Sequence, residues 1–418
     1  METQGKTVFV LGAGFSKGAG IPLQSEIIGT IRRLTKPKSI MSGPALASRY
    51  AVDRKTLLSF LGKVFPKGEE PSLEDVYTLL DQTIGRRAHC GRYDWRRLDK
   101  AREALNNVIL YVFHSAGEQA AADEALATEY RRFAAFLVNK RIAAKQGTTP
   151  FGIISLNWDS LLEESIFWCI RKVQALHKID VDYCCFTSPL GESCPHTPSL
   201  YQKAKGLYNI KVMKLHGSVS WLICPNCNRL YTGVGGLGDV WYQYMQTGSC
   251  IECRQQCVDK SGKERSKESD EFGPRLEAFF ITPTYVKVFP NAHIQMTWHN
   301  AHIDLSKASE VVFIGYSLPE ADYHVKTLLR RCVRADAKIT VVLTESDRPD
   351  RTVPPSRRSS YATVRYETFF GPERIKWCLG GVQAFFHDYI GELDLDSLLG
   401  TISGGLAQAN EDRTAEIR

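Results

Sequence analysis

No stretch of this 418-residue chain is apolar for long enough to cross a bilayer, which argues against a helical membrane protein. Its first residues, METQGKT, run straight into a strand-like segment and lack the basic, apolar and small-residue sections of a secretory leader, so the cytoplasm is the expected location. There is no concentrated tract of one charge. The net +7 is spread over the chain, with paired arginines at 32–33, 86–87, 96–97, 330–331 and 357–358. That pattern reads as a solvated mixed surface, which allows an accessory nucleic-acid contact without requiring one. Nor is there an internal repeat. What is present is 43% apolar residues, enough for a full core in two or three folding units. The twelve cysteines would frame disulfides in a secreted chain, but in a reducing compartment they point to metal or to buried thiols.

Seven short β-branched or apolar runs, TVFVLGAG, FGIISLN, VMKLHGS, EAFFITP, EVVFIGYS, KITVVLTES and VRYETFF, alternate with longer helical patterns. Continuous apolar runs of this length suit strands covered on both faces, so the chain is expected to fold as a doubly wound, Rossmann-like α/β domain with a mostly parallel sheet. Two segments break the rhythm. Residues 39–147 carry no strand signal and read as an inserted helical domain; in SLEDVYTLLDQTI, Ser72 can cap while Leu73, Val76, Leu79 and Leu80 share a face. Residues 223–277 hold paired cysteines and then DKSGKERSKESDE, too polar to bury and read as a mobile loop. The core is thus assigned to 1–38, 148–222 and 278–385. The remaining 386–418 form a C-terminal segment whose end, GTISGGLAQANEDRTAEIR, is expected to fray.

The segment VFVLGAGFSKGAGIP looks like a strand entering a glycine turn and a helix, yet the third glycine of the usual dinucleotide fingerprint would fall at Lys17. What remains is Gly12-Ala13-Gly14 with Ser16 placed to cap, a turn whose backbone N–H groups could approach a pyrophosphate with help from the following helix N-terminus. His216 ends another expected strand, where α/β sheets place reactive groups, and imidazole is the side chain best suited to take a proton near neutral pH. Asn157 and Asp159 also end a strand, and each could instead cap the helix that starts near Ser160. Glu345 and Asp347 could bond an adenosine ribose or cap a turn.

Cys224-x-x-Cys227 and Cys250-x-x-Cys253 form two knuckles of the kind that close a tetrahedral structural zinc site, with Cys257 as a rival for Cys253. Cys184, Cys185 and Cys194, near His196, lack paired spacing and read as buried thiols.

The pattern G-A-G-x-S-x-x-x-G-I-P resembles the sirtuin family, and SLNWD (155–159), KLHGS (214–218) and GYSLPEAD (315–322) follow in the family's order, with the cysteine pairs after the second. The resemblance covers the α/β core and not the helical insertion. It implies that NAD is bound by Gly12, Ala13, Gly14, Ser16, Gly315 and Ser317, that Asp159 holds the nicotinamide carboxamide, that Asn157 positions water or ribose, and that His216 is the base. It also implies zinc on the four cysteines. Departures bear on the reaction. Where deacylating sirtuins carry an Asp-Phe-Arg type segment, this chain has Leu23-Gln24-Ser25; Leu156 and Trp158 replace the usual glutamine and isoleucine; Tyr316 stands in a Gly-Thr-Ser-Leu position. With SLEDV, these changes resemble the sirtuin-like NAD hydrolases of bacterial antiphage defence that accompany a HerA-type ATPase. That resemblance implies an NAD-depleting effector in a homo-oligomer, reaching nucleic acid through the complex and not associated with membrane. Two alternatives stay open, an NAD-dependent lysine deacylase and a module that senses NAD or ADP-ribose to control assembly.

Overall fold

Every residue of Val8–Leu11 and Val311–Ile314 is buried, a condition that unbroken apolar runs meet only in strands covered on both faces. The computed structural model describes residues 5–35, 44–66, 68, 70–144, 148–174, 179–189, 208–232, 250, 253, 275–284, 291–350 and 352–417. Strand β1 (Lys6–Leu11) leads through α1 (Gly14–Lys17) and α2 (Ile27–Arg33) to α3 (Pro44–Val64), α4 (Leu73–Gly85), α5 (Trp95–Ala122) and α6 (Glu124–Ile142). There follow β2 (Phe151–Ser155), α7 (Leu161–Lys172), β3 (Ile179–Asp182), β4 (Thr187–Pro189), β5 (Tyr208–Lys214), β6 (Gly217–Ile223), β7 (Leu230–Thr232) and β8 (Glu277–Phe280). The chain continues through α8 (Ala292–Ser306), β9 (Ala308–Ile314), α9 (Tyr323–Cys332), β10 (Lys338–Val342), α10 (Pro355–Arg358), α11 (Ala362–Phe370), β11 (Ile375–Cys378), α12 (Gly381–Ile390) and α13 (Leu395–Ile417).

Seven strands form one sheet in the order β11-β10-β9-β1-β2-β5-β3, and every pairing in it is parallel. The fold is the expected doubly wound one. Alternation divides the β1 side chains between two layers. Phe9 and Leu11 join α6, α7, α12 and α13 on one face, whereas Val8 and Val10 join α8, α9 and α11 on the other. A four-stranded sheet, β4-β7-β6-β8, stands beside it and carries the cysteine knuckles. No helix among the described residues is long and apolar enough to span a membrane.

Three expectations differ. VRYETFF belongs to α11: Ala362, Tyr366 and Phe370 recur every four residues on one buried face, so aromatic content suggested a strand where the spacing was helical. Both edge strands of the main sheet lie outside the expected runs, β3 (IDVD) and the short β11 (IKWC). EAFFITP does form a strand, β8, but in the small sheet rather than the parallel one.

Within the run 39–147, α6 covers the main sheet, with Phe133, Leu137 and Val138 in one core with Phe9. Helices α2 to α5 share a separate core with Val219, Leu222 and Phe280 of the small sheet. The tail expected to fray lies in α13, where Leu398, Ile402 and Leu406 are buried in the same core as α6. The charged loop DKSGKERSKESDE, Cys194, His196 and Cys257 lie outside the described residues.

Candidate active site

The strand order reverses at β1, whose neighbours β2 and β9 are reached in opposite directions, and a doubly wound sheet opens a crevice beyond the strand ends at such a point. Here the crevice is a cavity of about 1350 Å³. Gly12, Ala13 and Gly14 line it from the end of β1, Asn157 and Asp159 from β2, His216 from β5, and Gly315 and Ser317 from β9. Ser16 lies just behind, fully buried and hydrogen-bonded to two of these residues. All nine site residues named for the nucleotide and the chemistry therefore converge. The far wall is helical, with Pro71–Glu74 at the start of α4 and Phe113 of α5.

The glycines have a local cause. The Gly12 N–H donates to the Ile314 carbonyl (3.0 Å) and the Gly14 N–H to the Gly315 carbonyl (2.8 Å). A Cβ at Gly12 would collide with the Tyr316 backbone, and Gly315, at φ +63°, presses on the Gly14–Phe15 peptide. The two turns can touch only without side chains. These two N–H groups therefore serve the neighbouring strand end, and α1 is a single turn, so the expected helix field at this point is small.

Asp159 is buried at the head of α7. Its Oδ1 accepts from the Ser16 hydroxyl (3.0 Å) and from the Leu161 N–H (3.1 Å), so it does cap the helix while also meeting the glycine turn. Burial raises its pKa above the ordinary carboxylate value, opposed by the nearby Lys214 ammonium. Lys214, fully buried at the end of β5, donates to the Asp159 carbonyl and to Glu163 Oε1 at 2.6 Å. Neither Lys214 nor Glu163 was anticipated as part of the site. The available signal was a lysine inside the otherwise apolar run VMKLHGS, since a cation buried there demands a partner.

Asn157 Nδ2 donates to the Ser16 Oγ at 3.4 Å, and its Oδ1 is buried with no hydrogen-bond partner among the described residues. His216 Nδ1 lies 3.2 Å from the Leu156 carbonyl. A carbonyl only accepts, so Nδ1 carries a proton, and in the neutral form of the ring the lone pair is then on Nε2. Beside them Trp158 packs on Phe280 (4.8 Å) and Phe113 (6.2 Å), an aromatic wall joining β2 to both the small sheet and α5.

The β9 turn is held from below. Arg365 donates to the Ser317 carbonyl from Nε (3.0 Å) and Nη2 (2.8 Å), and the Tyr366 hydroxyl donates to the Tyr316 carbonyl (2.9 Å). Asp347 lines the cavity, but its carboxylate accepts from the Thr344 N–H (3.0 Å) and hydroxyl (2.8 Å), the capping arrangement. Glu345 is exposed, 4.0 Å from Arg348.

In the small sheet the Sγ atoms of Cys224, Cys227, Cys250 and Cys253 all lie within 4.8 Å of one another. The Cys224–Cys253 and Cys227–Cys250 separations are 3.7 and 3.5 Å. Thiolates about 2.3 Å from a tetrahedral zinc would sit roughly 3.8 Å apart, so the donor set fits a closed site of that kind. Tyr231 Oη (3.1 Å from Cys250 Sγ) and Asn226 Nδ2 (3.3 Å from Cys253 Sγ) provide outer hydrogen bonds that would offset thiolate charge. Cys184 and Cys185, expected as buried thiols, are buried outside this cluster.

No family model matches the chain, and neither does any curated protein. Among solved structures it is similar to one described as the structural basis of sirtuin substrate affinity, at 14% identity over 93% of each chain with a TM-score of 0.35. It is likewise similar to a mutant Sir2 homologue in complex with ADP-ribose, at 13% identity over 96% of this chain and 93% of the other, TM-score 0.36. A Sir2 complex with a p53 peptide and NAD+ shows 14% identity over 92% of each chain, TM-score 0.32. Likenesses this loose carry no argument for any residue of the site, whose chemistry follows from its own geometry.

Proposed function

We propose that this protein is an NAD+ hydrolase that cleaves the bond between nicotinamide and ribose, giving nicotinamide and ADP-ribose. The observation that carries the reading is the convergence of His216, its lone pair on Nε2, with the unpartnered Asn157 Oδ1 in one cavity at the switch point of the sheet. At about 1350 Å³ that cavity is larger than the roughly 300–1,000 Å³ of an ordinary small-molecule pocket, which suits an extended dinucleotide. Nicotinamide leaves neutral: the C–N electron pair passes to its ring nitrogen, and positive charge develops on the ribose. Water then bonds to the ribose carbon and its proton goes to His216 Nε2. Asn157 Oδ1 orients that water or a ribose hydroxyl, and the cavity holds the reacting groups together.

The resemblance of the four motifs to sirtuins supports NAD as the ligand, with Asp159 toward the carboxamide, Gly12 to Ser16 and Gly315 to Ser317 around the phosphates and ribose, and zinc on the four cysteines. Leu23-Gln24-Ser25 in place of a substrate-gripping segment, and the aromatic wall at Trp158, favour water over an acyl-lysine as nucleophile. On the same resemblance we place the chain in antiphage defence, as a homo-oligomer with a HerA-type ATPase whose engagement releases a low basal activity.

The test is nicotinamide release from NAD+ by the purified chain, with and without the ATPase and DNA. Wild type should convert NAD+ to ADP-ribose, and Asn157→Ala and His216→Ala should each lose about 100-fold or more. Intact NAD+ under every condition would sink the reading. Acetyl-ADP-ribose formed only with an acetylated peptide would replace it by deacylation.

A further inference from the structure

The arginine pairs at 86–87 and 96–97, ten residues apart along the sequence, are brought together by the fold. Helix α4 ends at Gly85, the chain doubles back through a single bridge between Cys90 and Tyr93, and α5 starts at Trp95. Arg87 lies 5.7 Å and Arg96 4.8 Å from the centre of the Trp95 ring. Arg97 Nη1 donates to the Arg92 carbonyl at 3.4 Å, closing the same turn. Segment 85–100 thus gathers Arg86, Arg87, Arg92, Arg96, Arg97 and Lys100 against only two acids, Asp94 and Asp99.

Those six cations are exposed, as is His89. Among the described residues none of the five arginines forms an ion pair, whereas Arg102, one turn beyond, is matched at 2.5 Å by Asp81. Asp94 is occupied by the Arg97 N–H as the cap of α5. A second observation is conformational. Arg87 sits at φ +51°, the left-handed position just past a helix end that glycine or asparagine fills at least cost. A strained arginine held over a tryptophan is more than a solvated surface charge needs. None of these residues lines the cavity.

We infer that the α4–α5 turn is a docking surface for the phosphate backbone of a DNA duplex, independent of the proposed hydrolase reaction. Arginine in five of the six cationic positions suits the bidentate geometry of phosphate. Stacking on Trp95 orders two guanidiniums in advance, so a rigid array meets the regular phosphate spacing of a duplex. The indole ring carries guanidiniums already and is half-buried, which leaves no platform for stacking bases; recognition is by backbone charge and independent of sequence.

The experiment uses the full chain and a short labelled DNA duplex of mixed sequence, with anisotropy followed from low to physiological salt. Wild type should bind with a steep salt dependence. Reversing Arg86, Arg87, Arg96 and Arg97 to Glu should weaken binding by about tenfold or more and flatten the log–log slope by roughly three to four units, at about 0.9 per lost phosphate contact. The four Arg→Lys replacements should keep most of the slope. Reversing Arg330, Arg331, Arg357 and Arg358, an equal change of net charge elsewhere, should leave it unaltered. Circular dichroism checks that each variant is folded. Equal flattening by both sets of reversals, no binding by wild type, or displacement of the duplex by poly-glutamate as readily as by unlabelled duplex would overturn the assignment.

Discussion

Burial lifts the Asp159 carboxyl above its ordinary range, so the folded state holds that proton more tightly than the unfolded chain does. The corresponding stability is fully present below the ordinary carboxylate pKa and is lost as the pH rises from there through the raised folded value. Asp159→Asn, which keeps an acceptor for the Leu161 N–H, should abolish this loss. Melting temperature measured from acid to neutral pH should therefore fall in the wild type relative to the variant as pH rises; parallel curves would show that the carboxylate is ionised at no cost. At this scale much was legible. Asn157, Asp159 and His216 stand in short motifs at strand ends, and such ends meet wherever the strands are parallel neighbours. Lys214 and Glu163 were not, because their pairing joins residues 51 positions apart and depends on which helix follows which strand.

Between elements, the Lys214–Glu163 pair ties the end of β5 to the first turn of α7, with side chains 0% and 4% exposed. Removing the ammonium alone leaves a buried, unpaired carboxylate. Lys214→Met should cost about 3–5 kcal/mol in urea unfolding, while Lys214→Met combined with Glu163→Leu should recover most of it. An equal loss in both variants would mean that the bond to the Asp159 carbonyl, rather than the ion pair, carries the effect. The five main-sheet strands read correctly, β1, β2, β5, β9 and β10, have the largely apolar character that two-sided burial imposes. The other two are edge strands: IDVD of β3 alternates buried and part-buried residues, and IKWC of β11 has Lys376 exposed among part-buried neighbours, so neither gives such a run, whereas the aromatic VRYETFF looks like one but buries a face every four residues, as a helix does.

For the molecule as a whole, Cys224, Cys250 and Cys253 share one core with Leu57, Val76, Leu105 and Trp158, so the cysteine knuckles, helices α2 to α5 and the cavity wall are mechanically joined. If zinc occupies the four thiols, Cys224→Ser with Cys227→Ser should abolish zinc in elemental analysis of the purified chain. It should also lower the unfolding midpoint of the helical signal, and not merely that of the small sheet. Loss of metal without loss of helical stability would show that the knuckles are an independent appendage. The sequence by itself determined the class of fold, through runs that only a doubly covered parallel sheet can bury, and the cysteine set and site motifs, through spacing within a few residues. Tertiary structure alone decided that α6 belongs to the main sheet, that the helices and cysteine knuckles share a core, and that distant arginine pairs form one basic surface. Each of these depends on which faces meet in space, and local periodicity records only that a face is apolar or charged, not what lies against it.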